Sequence, residues 1–172
     1  MEYFSIITDK DIFDDPLPEP KQYIDRPTVK GLVFNKEDKI ALLWHPAENY
    51  GLLPGGGIED AETPEEAFIR ECQEEIGCDV KIESKIGTAI QLRAKDARRY
   101  EVHFFVGRVV GDTYTPTTTQ EDELSIEIKW MTVSEIKSQL ETQARSASPN
   151  WYQRQFNSRT HYEAFKKFLD SE

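Results

Sequence analysis

The chain has 172 residues, 38% of them hydrophobic, and a formal net charge of −11. That is enough to bury the core of one domain, the longest apolar runs are far too short to span a bilayer, and the acidity argues against a general binder of nucleic acid or anionic membrane. Met1 leads into EYFSIITDKD without the cationic start and apolar stretch of a signal peptide, and Cys72 and Cys78 fit neither a disulfide framework nor a common zinc spacing, so both read as reduced thiols of a cytoplasmic protein.

Residues 1–27 read as an arm, because Pro16, Pro18, Pro20 and Pro27 discourage regular structure over its second half. Residues 28–172 then form a single domain. Apolar stretches at 29–34 and 39–44, joined by the turn Asn35-Lys36-Glu37-Asp38, predict a hairpin. Pro54-Gly55-Gly56-Gly57 follows as a tight turn. Thr63 is a natural helix N-cap, Pro64 suits the first helical position, Glu66 completes a capping box, and Gly77 supplies the stop.

Residues 80–92 and 100–110 are strand-like, with Tyr100, Val102, Phe104 and Val106 alternating against Glu101, His103 and Phe105. Residues 124–131 give another strand. Thr132 and Glu135 open a helix to about Ala144, and Ser146 to Pro149 breaks it. Thr160 and Glu163 repeat the capping pattern ahead of a last helix with a stripe of Tyr162, Phe165, Phe168 and Leu169, within a C-terminal helical segment of about 141–172. Strands and helices mix, which predicts an α/β or α+β domain with a hairpin-rich sheet covered by helices.

The helix after Thr63 has an unusual charge pattern. Glu71, Glu74 and Glu75 stand at i, i+3 and i+4, side by side on one face, and repel each other. They occupy its last two turns, where the helix dipole disfavours negative charge. Local stability does not select that arrangement, whereas a bound cation makes it favourable. Glu59, Asp60, Glu62, Glu65 and Glu66 add to the cluster, which needs Mg²⁺ or Mn²⁺ before it accepts a phosphate-bearing substrate. Phe68, Ile69, Cys72 and Ile76 share a separate face, the core side. The three glycines let backbone approach a diphosphate closely.

Gly56, Glu62, Arg70-Glu71-Cys72, Glu74-Glu75 and Gly77-Cys78 fall at the spacing of the Nudix box, and the chain is identified by them as resembling the Nudix hydrolases. Cysteines stand at two places where aliphatic residues are usual, and Asp60-Ala61 replaces the common Pro-Gly. The resemblance covers about residues 28–140. It implies an α/β/α sandwich with a mixed β-sheet between helices, and cleavage of a nucleoside diphosphate linked to another group.

Carried onto this chain, the resemblance makes Glu71, Glu74 and Glu75 ligands of Mg²⁺ or Mn²⁺, with Glu59 able to ligate a second ion. Arg70 holds the carboxylates, paired with Glu62 or Glu66. Glu74 or Glu75 takes the proton of the attacking water, or a carboxylate of the Glu121-Asp122-Glu123 turn does, Glu123 being the residue chosen. Gly55, Gly56 and Gly57 shape the substrate loop. Arg93 and Arg99 bound the only basic cluster, RAKDARR, which reads either as a contact for a terminal phosphate or as a solvated hairpin tip.

The expected substrate is a small-molecule nucleotide, a (d)NTP or an oxidised nucleotide. ADP-sugar and dinucleoside polyphosphate hydrolysis are the alternatives, and a non-catalytic nucleotide sensor is the alternative of another class. By analogy with the family the chain is expected to form a homodimer, and its charge and short apolar runs predict no nucleic-acid or membrane partner.

Overall fold

The computed structural model describes residues 2–117, 126–146 and 151–171. Its strands are β1 (Ser5–Thr8), β2 (Ile24–Phe34), β3 (Ile40–His45), β4 (Tyr50–Leu52), β5 (Asp79–Arg93), β6 (Arg98–Val110) and β7 (Glu127–Met131). Its helices are α1 (Pro64–Ile76), α2 (Val133–Arg145) and α3 (Tyr152–Leu169). The strands form one mixed sheet in the order β1-β5-β6-β2-β3-β4, with β7 paired to β3. The pairs β1–β5 and β2–β6 are parallel and the others antiparallel.

Strand alternation gives the sheet two apolar faces, and each is covered by helix. Val29, Val33, Phe105 and Val109 pack against Ala67, Phe68, Cys72 and Ile76 of α1. Leu32, Phe34, Val102 and Phe104 pack against Ile136 and Leu140 of α2 and Phe165 and Phe168 of α3. This is the α/β/α sandwich. Gln143 of α2 clamps β4 from behind: its Oε1 accepts from the Gly51 amide at 2.8 Å and its Nε2 donates to the Gly51 carbonyl at 2.9 Å.

Three expectations are corrected. Residues 5–8, in the first half of the segment read as an arm, are a strand of the sheet and pair in parallel with β5 from Ser5↔Ala89 to Thr8↔Leu92. The proline-rich stretch after them does stay irregular until β2 begins at Ile24. The hairpin of β2 and β3 is a hairpin only at its turn, with the single pair Phe34↔Ile40. Beyond it the two strands part, and β2 pairs along its whole length with β6 instead. The last helix begins at Tyr152 rather than after Thr160, which lies fully buried inside it. A Thr hydroxyl also satisfies itself in a helix interior by bonding the carbonyl four residues back, and Thr160 Oγ1 donates to the Phe156 carbonyl at 2.7 Å.

The parting of β2 from β3 makes room for the glycine turn. Segment 54–58 lies along the vacated edge of β2: the Val29 amide donates to Gly56 O (2.9 Å), the Gly31 amide to Pro54 O (3.1 Å), and the Ile58 amide to Pro27 O (3.2 Å). The loop is thereby fixed by main chain on main chain, whatever its side chains are.

Candidate active site

The helix that follows is built as its sequence dictates. Thr63 Oγ1 accepts from the Glu66 amide (3.2 Å) and the Glu66 carboxylate accepts from the Thr63 amide (2.9 Å), the reciprocal capping box. Gly77 closes α1 in the left-handed region at φ 60°. Between these ends Arg70 is the hub. Its Nε and Nη2 donate to the two oxygens of Glu62 (2.8 and 3.0 Å), Nη1 to Glu71 (2.9 Å) and Glu74 (3.1 Å), and Nη2 also to Gly57 O (2.9 Å). Glu66 is occupied by the cap, so Glu62 is the partner of Arg70.

Two carboxylates reach back to the loop. The Gly55 amide donates to Glu75 Oε2 at 2.6 Å, and the Lys30 ammonium donates to the Gly55 carbonyl from the other side. Gly56 packs directly on Glu71, where a side chain would meet the carboxylate. Burial pushes the Glu71 carboxyl above its ordinary value, against the opposing pull of Arg70 and Lys30. The hydrogen bond from Arg70 holds Glu62 below the usual range, and in return raises the guanidinium. Glu59 is exposed and engages the cluster through its main chain: its amide donates to Glu62 Oε2 at 3.0 Å and its carbonyl accepts from the Glu62 amide at 3.2 Å.

All these donors are carboxylate or peptide oxygens, the set that hard divalent cations take. Among the described residues no three His, Cys, Asp or Glu side chains converge as a ready cage. Arg70 bridges Glu71 and Glu74, and the Gly55 amide engages Glu75. Glu121, Asp122 and Glu123 lie outside the described residues.

On the other side of Gly56 and Gly57 opens a cleft of about 250 Å³. Arg26, Thr28 and Lys30 of β2, Gln91 and Arg93 of β5, Tyr100 and Val102 of β6, and Gln153, Asn157 and His161 of α3 line it. Arg93 is only 4% exposed. Its guanidinium lies 4.0 Å from the centroid of the Tyr100 ring. Nε donates to Gln91 Oε1 (2.9 Å) and Nη2 to Asn157 Oδ1 (2.8 Å). The Leu53 amide donates to Nδ1 of His161, at 3.5 Å. Burial, with Lys30 and Arg93 nearby, holds that imidazole well below its ordinary pKa and therefore neutral.

Arg93 is thus no solvated hairpin tip. Arg99, expected beside it, is sent to the opposite face by strand alternation. There its Nη1 donates to Asp25 (3.0 Å) and its Nη2 to Glu101 (3.0 Å) and to the Tyr3 hydroxyl (3.1 Å), and it does not line the cleft. Trp44, Tyr152 and Phe156 are core residues. His103 is buried against Thr88, 3.2 Å from its hydroxyl. Arg26, Lys30, Gln91, Asn157 and His161 were not singled out from sequence. For Arg26, Lys30 and Gln91 the one available signal was polarity on the alternate positions of long apolar strands.

Comparison with known proteins agrees with this architecture. The model of the NUDIX domain family matches residues 25–155. The uncharacterized Nudix hydrolase YvcI of Bacillus subtilis (strain 168) is 28% identical over 116 residues, covering 67% of this chain and 71% of that protein. An 8-oxo-dGTP diphosphatase of Proteus vulgaris is 41% identical over 54 residues, which is 29% of this chain and only about half (48%) of that relative. Among solved structures, a NUDIX hydrolase from Nitrosomonas europaea superposes with a TM-score of 0.59 at 23% identity, covering 86% of this chain and 90% of the other. With the family match spanning most of the chain, and the box residues gathered around Arg70 on the glycine loop, the chain belongs to the Nudix family of pyrophosphohydrolases.

Proposed function

We propose that this protein hydrolyses a diphosphate linkage in a nucleoside diphosphate derivative with the help of Mg²⁺ or Mn²⁺, and that its substrate is a (d)NTP or an oxidised nucleotide. The observation that carries the reading is the placement of Gly56, which touches the Glu71 carboxylate on one side and lines the cation-bearing cleft on the other. Glu71, Glu74 and Glu75 are the residues that would hold the metal. They suit it in donor chemistry, and Gly56 leaves the space against Glu71 that any side chain would fill. A divalent ion there supplies charge neutralisation for the diphosphate and lowers the pKa of water.

The chain's own groups do the rest. Arg70 fixes the Glu62, Glu71 and Glu74 carboxylates in place. Glu74 or Glu75 accepts the proton of the attacking water, with Glu123 assigned as a further acceptor. The glycine loop presents peptide groups to the diphosphate, and Arg93 with Lys30 attracts its charge.

The relative named 8-oxo-dGTP diphosphatase supports the nucleotide choice over an ADP-sugar. The sensor alternative is disfavoured because every box carboxylate is present. Among the described residues no helix is long and apolar enough to cross a membrane. A cytoplasmic location, and a homodimer by analogy, remain part of the proposal.

The test is a panel of nucleoside diphosphate derivatives incubated with Mg²⁺, with the products identified. Glu75→Gln keeps an oxygen for the Gly55 amide and so keeps the fold. It is expected to lose at least about 10²-fold in turnover, the low end of a lost general base. Wild-type-like hydrolysis by this variant refutes the assigned site, and no cleavage across the panel favours the sensor.

A further inference from the structure

We propose that the cleft between β2, β5 and α3 is a phosphate pocket, built for a terminal phosphoryl group of the substrate beyond the linkage that is cleaved. The inference rests on the proposed diphosphate chemistry for its placement, but on the cleft alone for its ligand. In a chain of net charge −11, the lining of this cleft contains Arg26, Lys30 and Arg93 and not one carboxylate.

Arg93 carries the argument furthest. A buried cation is ordinarily paired with an anion, because the interior does not solvate it. Arg93, 96% buried, hydrogen-bonds only the neutral amide oxygens of Gln91 and Asn157 and lies over the Tyr100 and Phe156 rings, with Asp96 felt only at a distance beyond an ion pair. No ion pair to Arg93 exists among the described residues, and its Nη1 makes no hydrogen bond there. The guanidinium of Arg26, an exposed residue, is without a hydrogen bond or ion pair among the described residues, with its Nη2 at van der Waals distance (3.4 Å) from the Cβ position of Gly57. Lys30 shares its charge with Glu71 behind the glycine loop, but no carboxylate faces the three cations from within the cleft.

The neutral groups point the same way. Arg93 takes the oxygen of Asn157, which leaves the Asn157 amide nitrogen as a donor. The Leu53 amide takes Nδ1 of His161, so the proton of that neutral ring sits on Nε2. The wall therefore offers donors to an acceptor-only ligand. It is not built for a base: the Arg93 guanidinium caps Tyr100, and His161 is buried edge-on to Phe104. At about 250 Å³ the cleft also falls below the roughly 300–1,000 Å³ of pockets that take a whole ligand, and suits an end group. Three cations favour the dianion of a phosphomonoester over a carboxylate.

The decisive measurement is a calorimetric titration of the intact protein with inorganic phosphate in EDTA, which removes metal and catalysis from the readout. Wild type is expected to bind. Arg26→Gln breaks no described contact and weakens binding about tenfold, the loss of one charge-assisted hydrogen bond. Arg93→Lys keeps the charge but loses the planar fork, and weakens it at least as much. Arg159→Gln, which changes net charge equally on the outer side of α3, leaves the affinity within about twofold if the attraction is local rather than global.

Should Arg93→Lys lower the melting temperature, the Arg26→Gln titration decides alone. Absence of binding by wild type, or equal weakening by Arg159→Gln and Arg26→Gln, overturns the pocket. Loss of phosphate binding in Arg26→Gln by a protein that cleaves nothing in the nucleotide panel sinks the proposed function and leaves the pocket standing. Hydrolysis with no effect of Arg26→Gln on phosphate binding does the reverse.

Discussion

Gly56 stands so close to Glu71 that a Cβ built on it falls 2.5 Å from the carboxylate oxygen Oε1. That oxygen is also the one bonded by Arg70 Nη1. Gly56→Ala therefore has to push the Glu71 carboxylate out of its position or break its bond to Arg70. Its φ is not in the left-handed region, so backbone strain plays no part. Turnover is expected to fall about 10²-fold, as for a reacting group displaced by about 1 Å, while stability changes by less than about 1 kcal/mol. Steady-state kinetics beside a melting curve measures both, and an active Gly56→Ala enzyme contradicts the packing argument.

Arg70 joins three carboxylates and a loop carbonyl that otherwise have no common partner. Lysine keeps the charge and loses the fork. With the guanidinium part-exposed and screened, Arg70→Lys is expected to cost about 1–2 kcal/mol. Urea denaturation reads this as a lower midpoint with unchanged slope. An unchanged midpoint means that the network adds nothing to stability.

Ala61 sits at φ +66°, the conformation that explains why the resembled box commonly has glycine there. A Cβ in the left-handed region costs about 1–2 kcal/mol, partly offset by the entropy glycine loses on folding. Ala61→Gly is expected to stabilise the protein by about 0.5–1 kcal/mol without altering turnover. A lower melting temperature contradicts it.

His45, His103 and His161 are all held below 6.5, in each case chiefly by burial. For a depressed folded value the stability contribution is complete above the unfolded value of 6.5 and is lost as the pH falls below it, since the unfolded chain then takes up protons that the fold refuses. Stability is expected to drop between pH 7 and pH 5. Fully buried His161 accounts for up to about 1.4 kcal/mol per pH unit of that slope. Glu71, whose folded value is raised, opposes the trend only near the carboxylate range. Differential scanning calorimetry of His161→Gln against wild type measures its share; equal slopes exclude it.

Capping boxes and strand alternation made most of the elements legible, since each rests on contacts within a few residues. The Thr63–Glu66 and Thr132–Glu135 boxes form as their spacing predicts. The same motif at Thr160 misleads, because a helix interior satisfies a threonine equally well, and nothing local to Thr160 records that the chain is already helical at Tyr152. The Arg70 hub was readable from one helix face. The cleft was not: Arg26, Arg93 and Asn157 meet only through the parallel β2–β6 pairing and the packing of α3 on β5. Parallel pairings leave no turn signature, so β1 was hidden for the same reason.

The amides of Val29 and Gly31 are bonded to the glycine segment rather than to a neighbouring strand. Their exchange with deuterated solvent therefore follows the detachment of that segment, while the amides that tie β2 to β6 follow opening of the sheet. One strand thus carries two clocks, and the faster one, at Val29 and Gly31, reads the free energy with which the protein holds its glycine loop in place.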